Sequence, residues 1–290
     1  MPSLLLAAVS IQGGAALAKS LFPLLGPPAV TSLRVTFAAL ILALVWRPGL
    51  RQLGWAQWRL LLPYGVSLGV MNLTYYLALE RIPLALAVTL EFVGPLAVSV
   101  LASKRAADFL WVGLAALGLL LIAPWPGQST RLDPLGVALA LGAGVCWGLY
   151  IVAGQRVAHS FAGPKAVSLG MGIAALVTLP FGVVMGAQHG GTAYGAWGQL
   201  TPAIVFTMLG VAVMSSALPY SLEMSALRKL PARVFGVLMS LEPAVAAVLG
   251  LIFLHESLTG VQWLAIACVM AASVGVTLGA GRNAVPPVEV

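Results

Sequence analysis

Ten stretches of about twenty mostly apolar residues fill this chain, at roughly 3–24, 27–46, 60–79, 83–103, 109–125, 135–155, 165–186, 201–223, 232–254 and 260–280. A bilayer core about 30 Å thick needs about 20 apolar residues in a helix, so each stretch is long enough to cross. Polar or Pro/Gly segments such as Gly26-Pro27-Pro28, Ser103-Lys104-Arg105 and Gln188-His189-Gly190-Gly191 separate them. Nothing alternates at period two over ten residues, which excludes a β-barrel. The predicted architecture is all-α: a polytopic membrane protein of ten transmembrane helices with almost no extramembrane domain.

Composition agrees. Only 8% of the residues are charged and 60% are hydrophobic, against about 25% charged in an ordinary soluble domain. Too little polar surface remains to cover a soluble core, so a soluble enzyme, a disordered chain and a nucleic-acid-binding module are excluded. The net charge of +7 instead reads as basic residues gathered in cytoplasmic loops. With the N-terminus inside, eleven of the fifteen basic residues fall in inner loops or the tail: Arg47, Arg51, Arg59, Lys104, Arg105, Arg156, Lys165, Arg228, Lys229, Arg233 and Arg282. Arg81 and Arg131 fall outside, and Lys19 and Arg34 lie within spans. Both termini are therefore expected in the cytoplasm. The first segment lacks a basic n-region and is kept as a helix rather than a signal peptide. Cys146 and Cys268 lie in apolar runs and are expected to form no disulfide.

The chain repeats internally. Gly26-Pro27-Pro28-Ala29-Val30-Thr31 matches Gly163-Pro164-Lys165-Ala166-Val167-Ser168 at an offset of 137. Lys19 aligns with Arg156 at the same offset. Ala78-Leu79, Pro83, Leu90, Pro95 and Asp108 match Ala226-Leu227, Pro231, Leu238, Pro243 and Glu256 at an offset of 148. The shift falls between Gly186 and Leu200, where an insertion is cheap. The halves are residues 1–133 and 134–281, with a short tail at 282–290. Five spans is an odd number, so the second half crosses in the opposite sense. Such inverted repeats underlie secondary transporters.

Charges inside a bilayer cost at least about 2.5–3.5 kcal/mol on insertion scales. Glu91 and Glu242 lie near the middle of equivalent spans, three positions out of register, each followed by a proline. They read either as carboxylates facing a central cavity, binding an ammonium group or a proton, or as buried protonated structural residues. Lys19 either snorkels to the interface or faces the cavity. Arg34 lies deeper and reads as a cavity or ion-pair residue. Glu223 reads as a partner for Arg228 or Lys229. Asn72 and Tyr75, Trp147 and Tyr150, and Tyr220 and Glu223 are three apart and share helical faces, with Tyr76 beside Tyr75. Gln12 lies two turns from Lys19 along the first span. Gly65-x3-Gly69 and Gly142-x-Gly144-x3-Gly148 suit close helix packing. No phosphate-binding loop, metal-ligand set or nucleophile elbow appears, so no cofactor and no enzymatic activity are expected.

Several blocks are similar to a known family: Ser10-Ile11-Gln12-Gly13-Gly14, Ala18-Lys19-Ser20-Leu21-Phe22-Pro23-Leu24, and Leu90-Glu91-Phe92-x-Gly94-Pro95-Leu96-Ala97-Val98. So are Ala138 to Gly144, Leu218 to Met224, and Met239-Ser240-Leu241-Glu242-Pro243-Ala244. They resemble the threonine and homoserine exporters of bacterial inner membranes, in the EamA-type branch of the drug/metabolite transporter superfamily. The resemblance implies ten helices as an inverted five-plus-five repeat. It also implies export of threonine, homoserine and related small amino acids by exchange with protons. A zwitterionic substrate suits the residues: Glu91 and Glu242 for its ammonium group, and Lys19, Arg34, Gln12 or Asn72 for its carboxylate. Tyr75, Trp147, Tyr150 and Tyr220 complete the candidate substrate site, and Glu91 and Glu242 are the candidates for proton coupling. The competing reading is an exporter of the same architecture for drugs, nucleobases or aromatic amino acids. It expects a wide apolar cavity, where small amino acids expect a tight polar one.

Overall fold

A computed structural model describes residues 2–49, 53–101, 108–123, 132–158, 160–161, 163–189, 195–219, 222 and 237–280. These residues are helical and contain no strand. The first half holds α1 (Pro2–Ser20), the single turn α2 (Phe22–Leu25), α3 (Pro27–Trp46), α4 (Trp55–Leu79), α5 (Leu84–Glu91), α6 (Val93–Leu101) and α7 (Asp108–Ile122). The second half holds α8 (Pro134–Ala158), α9 (Gly163–Gln188), α10 (Pro202–Ala212), α11 (Glu242–Leu254) and α12 (Gly260–Ala280). A 3₁₀ turn at Gly195–Gln199 precedes α10, and a π-helical turn at Val213–Ala217 continues it.

Among the described residues, seven helices are long and apolar enough to cross a membrane: 27–46, 55–79, 84–101, 134–157, 164–188, 237–254 and 260–279. Leu4–Ser20, Phe109–Ile122 and Pro202–Ala217 are apolar but shorter. Outward-facing side chains are apolar too. Leu44, Phe206 and Phe253 are 74%, 73% and 65% exposed, a surface that needs lipid rather than water.

Prolines set the starts. Pro27, Pro134 and Pro202 occupy first-turn positions, where a missing N–H costs nothing. Gly26, at φ 77°, supplies the left-handed turn that lets α3 follow α2. Thr201 caps α10 by accepting the Ile204 N–H at 3.4 Å.

Two apolar runs that read as continuous spans are instead interrupted. α5 ends at Glu91 and α6 begins at Val93. Likewise, a turn at Ser240-Leu241 separates the helical residues 237–239 from α11. Pro95 and Pro243 follow three residues after Phe92 and Ser240, positions that the 148 offset makes equivalent. Neither proline can donate to the carbonyl four residues back.

α4 packs on α8 and α9, α3 on α9 and α10, α7 on α12, α1 on α11 and the π turn, and α8 and α11 on α5. Glycines permit the closest crossings. A Cβ on Gly65 would lie 2.5 Å from Ile173 Cβ, and one on Gly144 would lie 2.7 Å from the Glu91 carbonyl oxygen. Gly142 has nothing within 4 Å, so only part of the Gly142–Gly148 stripe serves packing. Gly144→Leu is expected to cost about 1–3 kcal/mol through overpacking and to lower the apparent Tm in detergent by several degrees. Gly142→Ala, which meets nothing within 4 Å and replaces a helix-interior glycine, should leave it unchanged or raise it slightly. Equal melting of the two variants would refute the assignment.

Candidate functional site: a central charged cavity

Gln12, Arg34, Asn72, Tyr75, Glu91, Trp147, Tyr150 and Glu242, chosen from sequence, all line one cavity of about 710 Å³. They come from α1, α3, α4, α5, α8 and α11, so both halves of the chain build it. Tyr220 lies outside the described residues, although its neighbour Pro219 is on the cavity wall. Glu223 also lies outside them.

Arg34 is the centre of the polar wall. It is buried at 4% exposure. Its Nη1 donates to Ser215 Oγ and Ser216 Oγ, each at 3.2 Å. Its Nη2 donates to Asn72 Oδ1, and Asn72 Nδ2 in turn donates to the Leu68 carbonyl at 2.7 Å. The guanidinium carbon stands 4.7 Å from the Tyr76 ring centroid, a cation–π arrangement. No carboxylate forms an ion pair with Arg34 among the described residues, and its Nε is a buried donor without a partner.

The π turn is what places the two serines. Gly14 on α1 lets it approach: a Cβ there would meet Ser215 Cβ at 3.0 Å. Ser10 Oγ donates to the Met214 carbonyl at 2.6 Å and ties the same two elements together. Ser215 Oγ donates to the Val211 carbonyl at 2.6 Å, leaving its lone pairs for Arg34.

Glu91 and Glu242 sit at the two helix interruptions and are 8% and 5% exposed. The Glu91 carboxylate makes no hydrogen bond among the described residues. Near the second interruption, Ser240 and Ser273 share a hydroxyl contact of 2.7 Å. Gln12 Oε1 is a buried acceptor with no partner among the described residues. The cavity thus brings together one cation, two carboxyl groups and an unused amide oxygen.

Aromatic groups shape the rest. Trp147 meets Phe92 edge-on, centroids 5.2 Å apart. Tyr150 stacks on Tyr64 at 4.7 Å, with the hydroxyls 3.0 Å apart. Ile11, Met71, Val88, Leu96, Ile151 and Met239 make much of the wall apolar.

Lys19 stands apart. It is not on the cavity wall, and it does not snorkel freely: its Nζ pairs with Glu256 Oε1 at 2.7 Å and donates to the Ile82 carbonyl at 2.9 Å. A short apolar reach to a buried acceptor competes here with the reach to the interface. The structure adds Ser99, Gln155, Ser215, Ser273 and Thr277 to the wall. Hydroxyls carry little sequence signal, because serine and threonine commonly bond to their own helix backbone, as Thr277 does to the Ser273 carbonyl at 2.8 Å.

The chain has relatives of known activity. The threonine/homoserine exporter RhtA of Escherichia coli strain K12 is 50% identical over 275 residues, covering 95% of this chain and 90% of that protein. The threonine/homoserine exporter RhtA of Salmonella typhimurium strain LT2 is 50% identical over 280 residues, covering 97% and 92%. A solved crystal structure shares the fold with a TM-score of 0.62 at 17% identity, covering 98% of this chain and 99% of that one. The pattern of the EamA-like transporter family matches residues 134–278. On this match, and on half-identity along nearly the whole length of two exporters, the chain belongs to the EamA-like transporter family.

Proposed function

We propose that this transporter exports threonine, homoserine and related small amino acids across the bacterial cytoplasmic membrane in exchange for protons. The observation that carries the proposal is the cavity of a 50%-identical relative of threonine/homoserine exporters: Arg34 faces the same space as Glu91 and Glu242. An amino-acid zwitterion needs both signs of charge within one small volume. Arg34, with Asn72 and Ser215 around it, takes the carboxylate. Glu91 or Glu242 takes the ammonium group or, when empty of substrate, a proton. Competition for one carboxyl would couple the two fluxes.

The transporter is read as ten crossings in two inverted halves, residues 1–133 and 134–281, with both termini cytoplasmic. The helix contacts support that reading. Exchanging the halves maps α1 onto α8, α3 onto α9, α4 onto α10, the α5–α6 pair onto α11, and α7 onto α12. The α4–α8 contact then maps onto α1 with the π turn, α1–α11 onto α8 with α5 and α6, and α4–α9 onto α3–α10. The α3–α9, α5–α11 and α7–α12 contacts map onto themselves. Among the described residues, the α3–α4 contact and the α12 contact with α5 and α6 have no equally extensive counterpart.

One observation favours the competing substrate class. The cavity is wide and largely apolar, the form expected for aromatic amino acids, drugs or nucleobases. Export of labelled threonine, homoserine and tryptophan from cells overproducing the transporter separates the readings. Threonine and homoserine export should rise severalfold with overproduction. Efflux of tryptophan alone would overturn the small-amino-acid reading.

Two substitutions test the chemistry. In vesicles, Glu91→Gln or Glu242→Gln is expected to abolish threonine exchange driven by an imposed pH gradient; coupling at the unsubstituted level in both would sink the proton assignment. Arg34→Lys keeps the charge but loses the fork that holds Asn72 and two serines. It should raise KM for threonine about tenfold, the size of one charge-assisted hydrogen bond, and an unchanged KM would remove Arg34 from the substrate site.

A further inference from the structure

We propose that Lys19 and Glu256 are a latch closing one end of the transport pathway, and that Arg156 and Asp108 are its counterpart at the other end. The proposal rests on the inverted-repeat reading above and concerns gating, whatever the cargo.

The cavity is not central along the helices. Its wall runs to exposed Ser99 and Gln155 and to half-buried Thr277, close to the ends of α6, α8 and α12. Exposed Arg156 and Lys165 lie at that same end, the end assigned to the cytoplasm. In the opposite direction the wall stops at Ala15, Tyr76 and Val88. Beyond them lie Phe22, Ile82 and Leu84, each no more than 5% exposed. This end is closed, and the ion pair sits in the closure.

The pair joins the two halves across 237 positions of sequence. Lys19 near the end of α1 holds Glu256 at 2.7 Å and the Ile82 carbonyl at 2.9 Å. The second oxygen of Glu256 accepts the Leu84 N–H at 2.7 Å, at the first residue of α5. That carboxylate therefore also meets the positive end of a helix. Glu256 is itself fixed: His255 adopts φ 53° after α11, and the Glu256 N–H closes onto the Gly250 carbonyl at 3.1 Å. One side-chain pair ties α1, the α4–α5 turn and the end of α11 together. Separating these elements to open this end must break it.

The repeat supplies the partner pair. At the 137 offset Lys19 corresponds to Arg156, and at the 148 offset Glu256 corresponds to Asp108. The order of charges is kept: a cation near the end of the first helix of each half, and an acid in the link between its fourth and fifth. Arg156 lies one residue from cavity-lining Gln155, and Asp108 is the first residue of α7. Inverting the halves moves the closed end from one side to the other, so the Arg156–Asp108 pair forms as the Lys19–Glu256 pair breaks.

The test measures which end is open. A single cysteine, Ala15→Cys on the cavity wall, is placed in a background of Cys146→Ser and Cys268→Ala. Its labelling by a membrane-impermeant maleimide is timed in spheroplasts and in inside-out vesicles. Glu256→Gln should raise the ratio of outside to inside labelling at least fivefold. Asp108→Asn should lower it at least twofold. Misfolding cannot move the ratio in both directions. An unchanged ratio in Glu256→Gln, or a shift of both variants in the same direction, would overturn the latch. The assay uses no substrate, so an error in the cargo leaves it unaffected. A parent that labels faster from outside overturns the membrane orientation instead; the latch then stands only if the two variants still shift the ratio oppositely.

Discussion

A guanidinium held at the centre of an apolar bundle sets the terms for this protein. An unpaired charge in such surroundings is too costly to leave without polar partners. Arg34 finds them in Asn72, Ser215, Ser216 and the face of Tyr76. Each partner imposes a local condition. The serines require the π turn at Val213–Ala217, because a regular helix would carry them past Arg34 at a different angle. The π turn requires Gly14, which lets α1 lie against it. All these groups are neutral. Arg34 therefore keeps its positive charge available to an anion in the cavity, which a structural ion pair would cancel.

The second constraint is the backbone. Inside a membrane, broken helix is tolerated only where it is covered by protein or lines a wet cavity. Both interruptions, at Phe92 and at Ser240-Leu241, fall at positions related by the 148-residue offset in sequence and place Glu91 and Glu242 on the cavity wall. At the first, the Glu91 carbonyl lies so close to Gly144 that no side chain fits there. The proline that releases a carbonyl and the glycine that covers it belong to different halves.

Much of this was legible in the sequence, for a physical reason. Charge and amide groups are so expensive in apolar helices that Arg34, Glu91, Glu242, Gln12 and Asn72 each had to have a purpose, and the structure puts all five on one cavity. The hydroxyl groups were not legible. Ser215 and Ser273 satisfy or share their hydrogen bonds cheaply and resemble any other small residue of a packed helix. The helix interruptions were foreshadowed by Pro95 and Pro243, whereas nothing in Val213–Ala217 announces a π turn. Lys19 was half legible. Its depth and its long stem fitted the interface, but the acid that holds it lies 237 residues away, and only folding brings Glu256 to it.

That distance is informative in its own right. An ion pair at 18% and 14% side-chain exposure is screened enough from water to matter, yet not so buried that breaking it is prohibitive. Surface pairs contribute about 0–1 kcal/mol, and fully buried pairs cost several kcal/mol when one partner is removed. A gate needs the range between. Alternating access works when two conformations differ by only a few kcal/mol, so that substrate or a proton tips the balance. The Lys19–Glu256 pair, with the chemically similar counterpart proposed for the other end, meets that requirement. On the proposed exchange of latches, what one conformation loses at Lys19 and Glu256 the other regains at Arg156 and Asp108, leaving the charge on Glu91 and Glu242 free to decide between them.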